Sequence, residues 1–253
     1  MTHGIEKEIL FNSAICFSKF GDKNAMEKFA EANNLDMNIM TRADEIDKTR
    51  QHAKNVVSVV IGVTGWEMYG PNDNGDAFPA QNFGSAVQPH QTLLSRHFTF
   101  TKHGKVFRYH ESKDPEKSIG IIHFSWWNPS QHRIELIVEF FWVKAATECL
   151  KLRRKNSIVV SMGCRLGVPD ETGRLIGADY CSYCGQKATK PVEHCDHVKL
   201  QLGKIIDGVP VYMINSEEIF FDLSSVCIPG DMNARAVYTA PGVPLDENKG
   251  GIA

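Results

Sequence analysis

Apolar positions along the chain fall mostly into short runs divided by polar punctuation, a pattern that predicts many strands and few long helices. The first fifty residues are polar and helical in pattern, and Asn24 to Asn33 (NAMEKFAEAN) predicts a short helix capped by Asn24 and ended by Asn33-Asn34. Val56 to Val63 is β-branched almost throughout and is followed by Gly65, so it reads as a buried strand of the main sheet. Pro71-Asn72-Asp73-Asn74-Gly75-Asp76 has the residues of a tight turn; it lacks the length and terminal glutamate of an EF-hand loop, which favours the turn over a calcium site. Ile119 to Trp127 and Arg133 to Trp142 predict an antiparallel pair joined through Asn128-Pro129-Ser130-Gln131. Val143, Ala146 and Leu150 then recur at helical spacing, and the basic run Lys151 to Lys155 suits a helix C-terminus.

Ser157 to Gly163 (SIVVSMG) predicts a strand arriving directly from that helix. Pro169 to Leu202 is rich in Gly, Cys and His and poor in large aliphatics, which marks an insertion. Strand character returns at Val209 to Ile214 and Ile219 to Ile228, and from Pro229 onward the chain is loop-like. The expected organisation is a helical arm over 1–54, a main domain over 55–238 with an insertion at about 169–204, and a flexible tail over 239–253 carrying Pro241 and Pro244. The expected fold class is α+β: a mostly antiparallel sheet or barrel core flanked by helices.

With 253 residues, 42% hydrophobic and 23% charged, the chain can bury one sizeable core. A formal charge of -2 gives no general attraction to nucleic acid or an anionic membrane. No apolar run reaches the ~20 residues that span a bilayer, and Met1 to Glu8 lacks a signal-peptide pattern, so an intracellular product with no membrane partner is expected. In that setting seven cysteines read as thiols and metal ligands rather than disulfides.

Cys181-Ser182-Tyr183-Cys184-Gly185 is a C-x-x-C-G knuckle, and His194-Cys195-Asp196-His197 follows shortly after. Two thiolates on one tight turn can face the same ion, and a second pair completes a tetrahedron. The preferred set is Cys181, Cys184, Cys195 and His197, with His194 or Cys164 as substitutes for His197. Four protein ligands make a closed shell, so the expected cofactor is a structural zinc that staples the insertion into a small subdomain.

Three residues carry candidate acyl-transfer chemistry, which needs a hydroxyl, a base and a group to orient the base. Ser161 stands on an apolar strand without a G-x-S-x-G elbow, and His110 lies in Arg108-Tyr109-His110-Glu111. Asp222 is an acid inside the otherwise very apolar Phe220-Phe221-Asp222-Leu223, which implies a partner.

Their surroundings resemble the phage prohead, or capsid-maturation, serine proteases of the type that carries a zinc knuckle in larger phages. His110 to Gly120 (HESKDPEKSIG) is similar to the family's histidine block, Ser161-Met162-Gly163 to its Ser-x-Gly nucleophile block, and Phe221 to Gly230 (FDLSSVCIPG) to its acidic strand. Asn74 to Pro79 resembles the early Gly-Asp segment, and the likeness spans roughly Val56 to Val237. Glu111 stands where Asp is common, Asp222 where many members have Glu, and Gly230 where Ala is usual. The resemblance implies a fold similar to herpesvirus assemblin, with Ser161 as nucleophile, His110 as base and Asp222 as its orienting acid. Ser224 and Ser225 fall in the supporting strand. It also implies phage scaffold and major capsid proteins as substrates, self-cleavage, homodimers, and a location inside the prohead in the host cytoplasm with retention in the virion. Two rivals stand beside it: a catalytically inactive phage assembly protein with the same fold and a zinc-stapled interaction module, and a zinc-knuckle nucleic-acid binder, which the charge balance and the lack of an aromatic-basic stripe argue against.

Overall fold

A computed structural model describes residues 15–16, 23–50, 52–81, 83–84, 89–154, 156–169, 171–173 and 175–240. Helices α1 (Lys23–Ala32) and α2 (Met37–Thr49) open the described chain after a short strand, β1 (Ile15–Cys16). Since α1 begins at Lys23, Asn24 lies inside its first turn and is not its cap. Asp36 caps α2 by accepting the Asn38 N–H at 2.7 Å.

Next come β2 (Val56–Thr64), β3 (Asp76–Ala77), helix α3 (Thr99–His103), β4 (Lys105–Arg108), β5 (Gly120–Asn128), β6 (Arg133–Phe140), helix α4 (Trp142–Arg153) and β7 (Val160–Arg165). After them lie β8 (Ala178–Cys181), β9 (Lys187–Ala188), helix α5 (Asp196–Gln201), β10 (Met213–Ser216), β11 (Ile219–Ser225) and β12 (Ala236–Thr239). Among the described residues the main sheet has eight strands in the order β1-β12-β2-β6-β5-β4-β11-β7. It is mostly antiparallel and curls into a half-barrel; the parallel pairs are β1 with β12 and β4 with β11. No described helix is long and apolar enough to cross a membrane.

The central strands are covered on both faces, which is why β2 reads as an unbroken apolar run and not an alternating one. Val56, Val60 and Val138 face one core with Phe100, Phe220 and Leu223; Val57, Val59 and Ile137 face a second under α1 and α2. The N-terminal arm is therefore docked: Phe29, Ile39, Met40 and Ala43 are buried against the sheet.

Three features correct the sequence reading. Residues after Pro229 are not all loop, because β12 pairs with β2 and buries Tyr238 completely. Strand character near 209 is a two-residue pair at Val209–Pro210 followed by β10, which starts at Met213. The insertion is not self-contained either: β8, β9 and β10 form a four-stranded sheet that includes β3, so its structure continues to Ser216 and is tied to the early Gly75-Asp76 loop. Residues 241–253, most of the expected tail, lie outside the described set.

Candidate functional site

The site forms where β4, β11 and β7 lie side by side. Leu223 and Met162 point into the main core, so on these strands Asp222, Ser224 and Ser161 occupy the opposite face. Antiparallel register sets Ser224 directly across from Ser161 and Asp222 across from Gly163. Phe221 is the extra residue of a bulge between Phe220 and Asp222, and the Arg165 guanidinium lies 4.4 Å over its ring.

His110 reaches this face through a turn. After β4, the Tyr109 N–H donates to the Ser225 carbonyl at 3.1 Å, and the Glu111 N–H closes back on the Arg108 carbonyl at 3.0 Å. The two central residues have φ of 48° and 58°, the left-handed pair of a type I′ turn, which Tyr109 and His110 adopt at a cost of roughly 1–3 kcal/mol each. Arg108 anchors the approach with a two-pronged bond to Glu148 on α4, at 2.7 and 2.6 Å. Burial would raise the Glu148 carboxyl, but the Arg108 bonds outweigh it and hold the group below its ordinary range.

The turn brings His110 Nδ1 to 2.8 Å from Asp222 Oδ2. Asp222 is 1% exposed, whereas the imidazole is half-exposed. A carboxylate at Nδ1 fixes the tautomer: Nδ1–H donates to Asp222, and the Nε2 lone pair is left for another proton. Ser224 joins the same cluster, accepting the His110 N–H at 3.0 Å and donating to Asp222 Oδ1 at 3.0 Å. The Ser161 hydroxyl, half-buried on the neighbouring strand, has no hydrogen-bond partner among the described residues. The fold thus joins His110 to Asp222 directly and sets Ser161 one strand away.

The second site belongs to the insertion. One donor atom from each of Cys181, Cys184, Cys195 and His197 lies within 4.8 Å of the others, with the Cys184 and Cys195 sulfurs 3.6 Å apart. Cys181 ends β8, Cys184 closes the knuckle, and Cys195 and His197 flank the start of α5. His197 Nδ1 is buried without a hydrogen-bond partner among the described residues, and three soft sulfurs with one imidazole suit a zinc-type ion. Burial opposes ionisation of Cys195, yet the Val198 N–H and the Cys181 and Cys184 thiols outweigh it and pull this thiol down to about 6. The substitutes stand outside this cluster: among the described residues only Cys181, Cys184, Cys195 and His197 bring donor atoms within 4.8 Å of one another, while His194 Nε2 is bonded to Asp179 at 2.9 Å and Cys164 packs against the main core, its thiol pushed well above its ordinary range by burial. In the early turn, Asn72 Oδ1 accepts the Asn74 and Asp76 N–H groups at 3.0 and 2.9 Å, as a turn requires.

What the sequence left unread was Ser224. The sequence places it only in the supporting strand, because its bond to His110 runs between segments 114 residues apart. The fold and sites define an α+β protein with a carboxylate-tethered histidine beside a strand serine, and a Cys3His cluster able to hold a metal ion. No family model, curated protein or solved structure matches the chain.

Proposed function

We propose that the chain is a serine endopeptidase of the prohead type, with an assemblin-like fold, acting on scaffold and capsid-protein segments during phage capsid maturation. The observation that carries the chemistry is the 2.8 Å bond from His110 Nδ1 to buried Asp222, made beside the strand that holds Ser161. The resemblance of the His110, Ser161 and Asp222 blocks supports the substrate class.

Ser161 Oγ attacks the peptide carbonyl while His110 Nε2 takes its proton, and Asp222 stabilises the imidazolium without accepting that proton. Collapse of the tetrahedral adduct breaks the C–N bond, and His110 returns the proton to the departing amine. Water, deprotonated by His110, then hydrolyses the Ser161 ester. Cys181, Cys184, Cys195 and His197 would hold zinc as a structural ion, whose four protein ligands would staple the insertion.

One observation favours a second reading, a non-enzymatic assembly protein of the same fold whose zinc-stapled insertion makes protein contacts: Ser161 has no hydrogen bond to His110. Reaction with a fluorophosphonate probe separates the two. The protease reading expects covalent labelling and cleavage of co-expressed scaffold, both falling at least 10³-fold in Ser161→Ala. An unlabelled, metal-loaded, folded protein that leaves scaffold intact would establish the second reading.

A further inference from the structure

We infer that Ser224 is the positioning residue of this site: its hydroxyl locks the His110 main chain to the Asp222 carboxylate and thereby fixes the plane of the imidazole. The inference rests on the protease reading for its catalytic consequence, but the positioning itself stands on geometry.

Ser224 is completely buried. Its oxygen accepts the His110 N–H at 3.0 Å, and its single proton goes to Asp222 Oδ1, also at 3.0 Å. The other carboxylate oxygen binds His110 Nδ1 at 2.8 Å. These bonds close a ring that runs from the His110 backbone through Ser224 and Asp222 and back into the His110 side chain. A single bond to Nδ1 would leave the imidazole free to rock about that contact; a second tether at the backbone of the same residue removes this freedom.

The turn explains why a tether is needed. His110 and its neighbour Tyr109 both carry left-handed backbone without being Gly, Asn or Asp, so the turn is costly and relaxes unless surrounding contacts hold it. The Ser224 bond is one such contact, made at the strained residue itself.

The same bonds divide the labour between two serines that face each other across paired strands. With its proton committed to a carboxylate and its oxygen sealed from solvent, Ser224 is unavailable as a nucleophile. Ser161, half-buried and without a hydrogen-bond partner among the described residues, keeps its hydroxyl free of them.

Two measurements on full-length Ser224→Ala test this. Long-range ¹⁵N–¹H correlation spectra read the His110 tautomer, and the fluorophosphonate rate reads Ser161 reactivity. The expected result is a single Nδ1–H tautomer in the wild type, a mixture in Ser224→Ala, and labelling slowed on the order of 10- to 100-fold. In an Asp222→Ala background, Ser224→Ala should bring little further loss, because the two act through one ring; a merely structural serine would give an independent loss. Ser224→Cys, similar in size with a weak donor, should fall between and carries the test if the alanine variant does not fold. An unchanged tautomer together with wild-type labelling in Ser224→Ala, or in Ser224→Cys, would overturn the inference while leaving Ser161 as nucleophile. A wild type that resists the probe yet loses its tautomer in Ser224→Ala would uphold the positioning and sink the protease reading.

Discussion

Glu218 shows how far one buried group can govern the behaviour of the fold. Its side chain is completely buried, and among the described residues neither carboxyl oxygen has a side-chain hydrogen-bond partner; burial pushes its pKa up to about 8. Below the ordinary carboxylate range both folded and unfolded chains hold the proton. Between about 4.5 and 8 the folded chain keeps a proton that the unfolded chain releases, so the stability contributed by neutral Glu218 is lost as pH rises through that window. The slope is at most about 1.4 kcal/mol per pH unit. Urea unfolding at a series of pH values should show this decline, and Glu218→Gln should flatten it and leave the variant the more stable at pH 8. An identical slope in both proteins would show that Glu218 does not titrate in this way.

At the scale of elements, the approach of β7 to β11 depends on Gly163. A Cβ at this position would stand 3.0 Å from Asp222 Cβ and 3.2 Å from Oδ2, so the carboxylate lies over the glycine and reaches His110 only because no side chain intervenes. This gives the Ser-x-Gly spacing a physical reason: Ser161 and Gly163 share a face, one bearing the hydroxyl and the other making room for the acid. Gly163→Ala should cost about 1–3 kcal/mol through overpacking and slow fluorophosphonate labelling by displacing Asp222. Thermal unfolding and labelling rates check both; wild-type values would mean that the strands absorb the methyl group. Elements with strong local patterns, such as β2, β5 and β6, were legible in the sequence; α4 was legible as a helix, but its buried face is Ala145, Cys149 and Leu152, and Val143 of the expected stripe is exposed. The short strands β4 and β12 were not, since four residues carry little periodicity and their pairing comes from segments far along the chain.

For the molecule as a whole, the proposed structural ion at Cys181, Cys184, Cys195 and His197 would keep the insertion in shape. Few aliphatic side chains support this segment, so ligand bonds would supply much of the free energy that orders it. Chelation, or Cys184→Ser, should release about one equivalent of zinc, lower the melting temperature and remove hydrogen-exchange protection from residues 178–216. Protection should persist at Val57 to Val60 and Leu136 to Val138, which lie in the main sheet. Chelator-treated protein with an unchanged exchange pattern would show that the insertion stands without metal.

By itself the sequence determined the α+β class, the central strands and the three thiols of the candidate metal cluster, because each of these is written locally: apolar runs specify buried strands, and a knuckle with a nearby cysteine places thiols on tight turns. It also marked His110, Ser161 and Asp222 as candidates. Only the tertiary structure decided that His197 and not His194 faces the thiols, that Asp222 meets His110, and that Ser224 joins them. Those outcomes depend on register between strands that are far apart in the chain, where a shift of one residue would turn Asp222 and Ser224 to the opposite face.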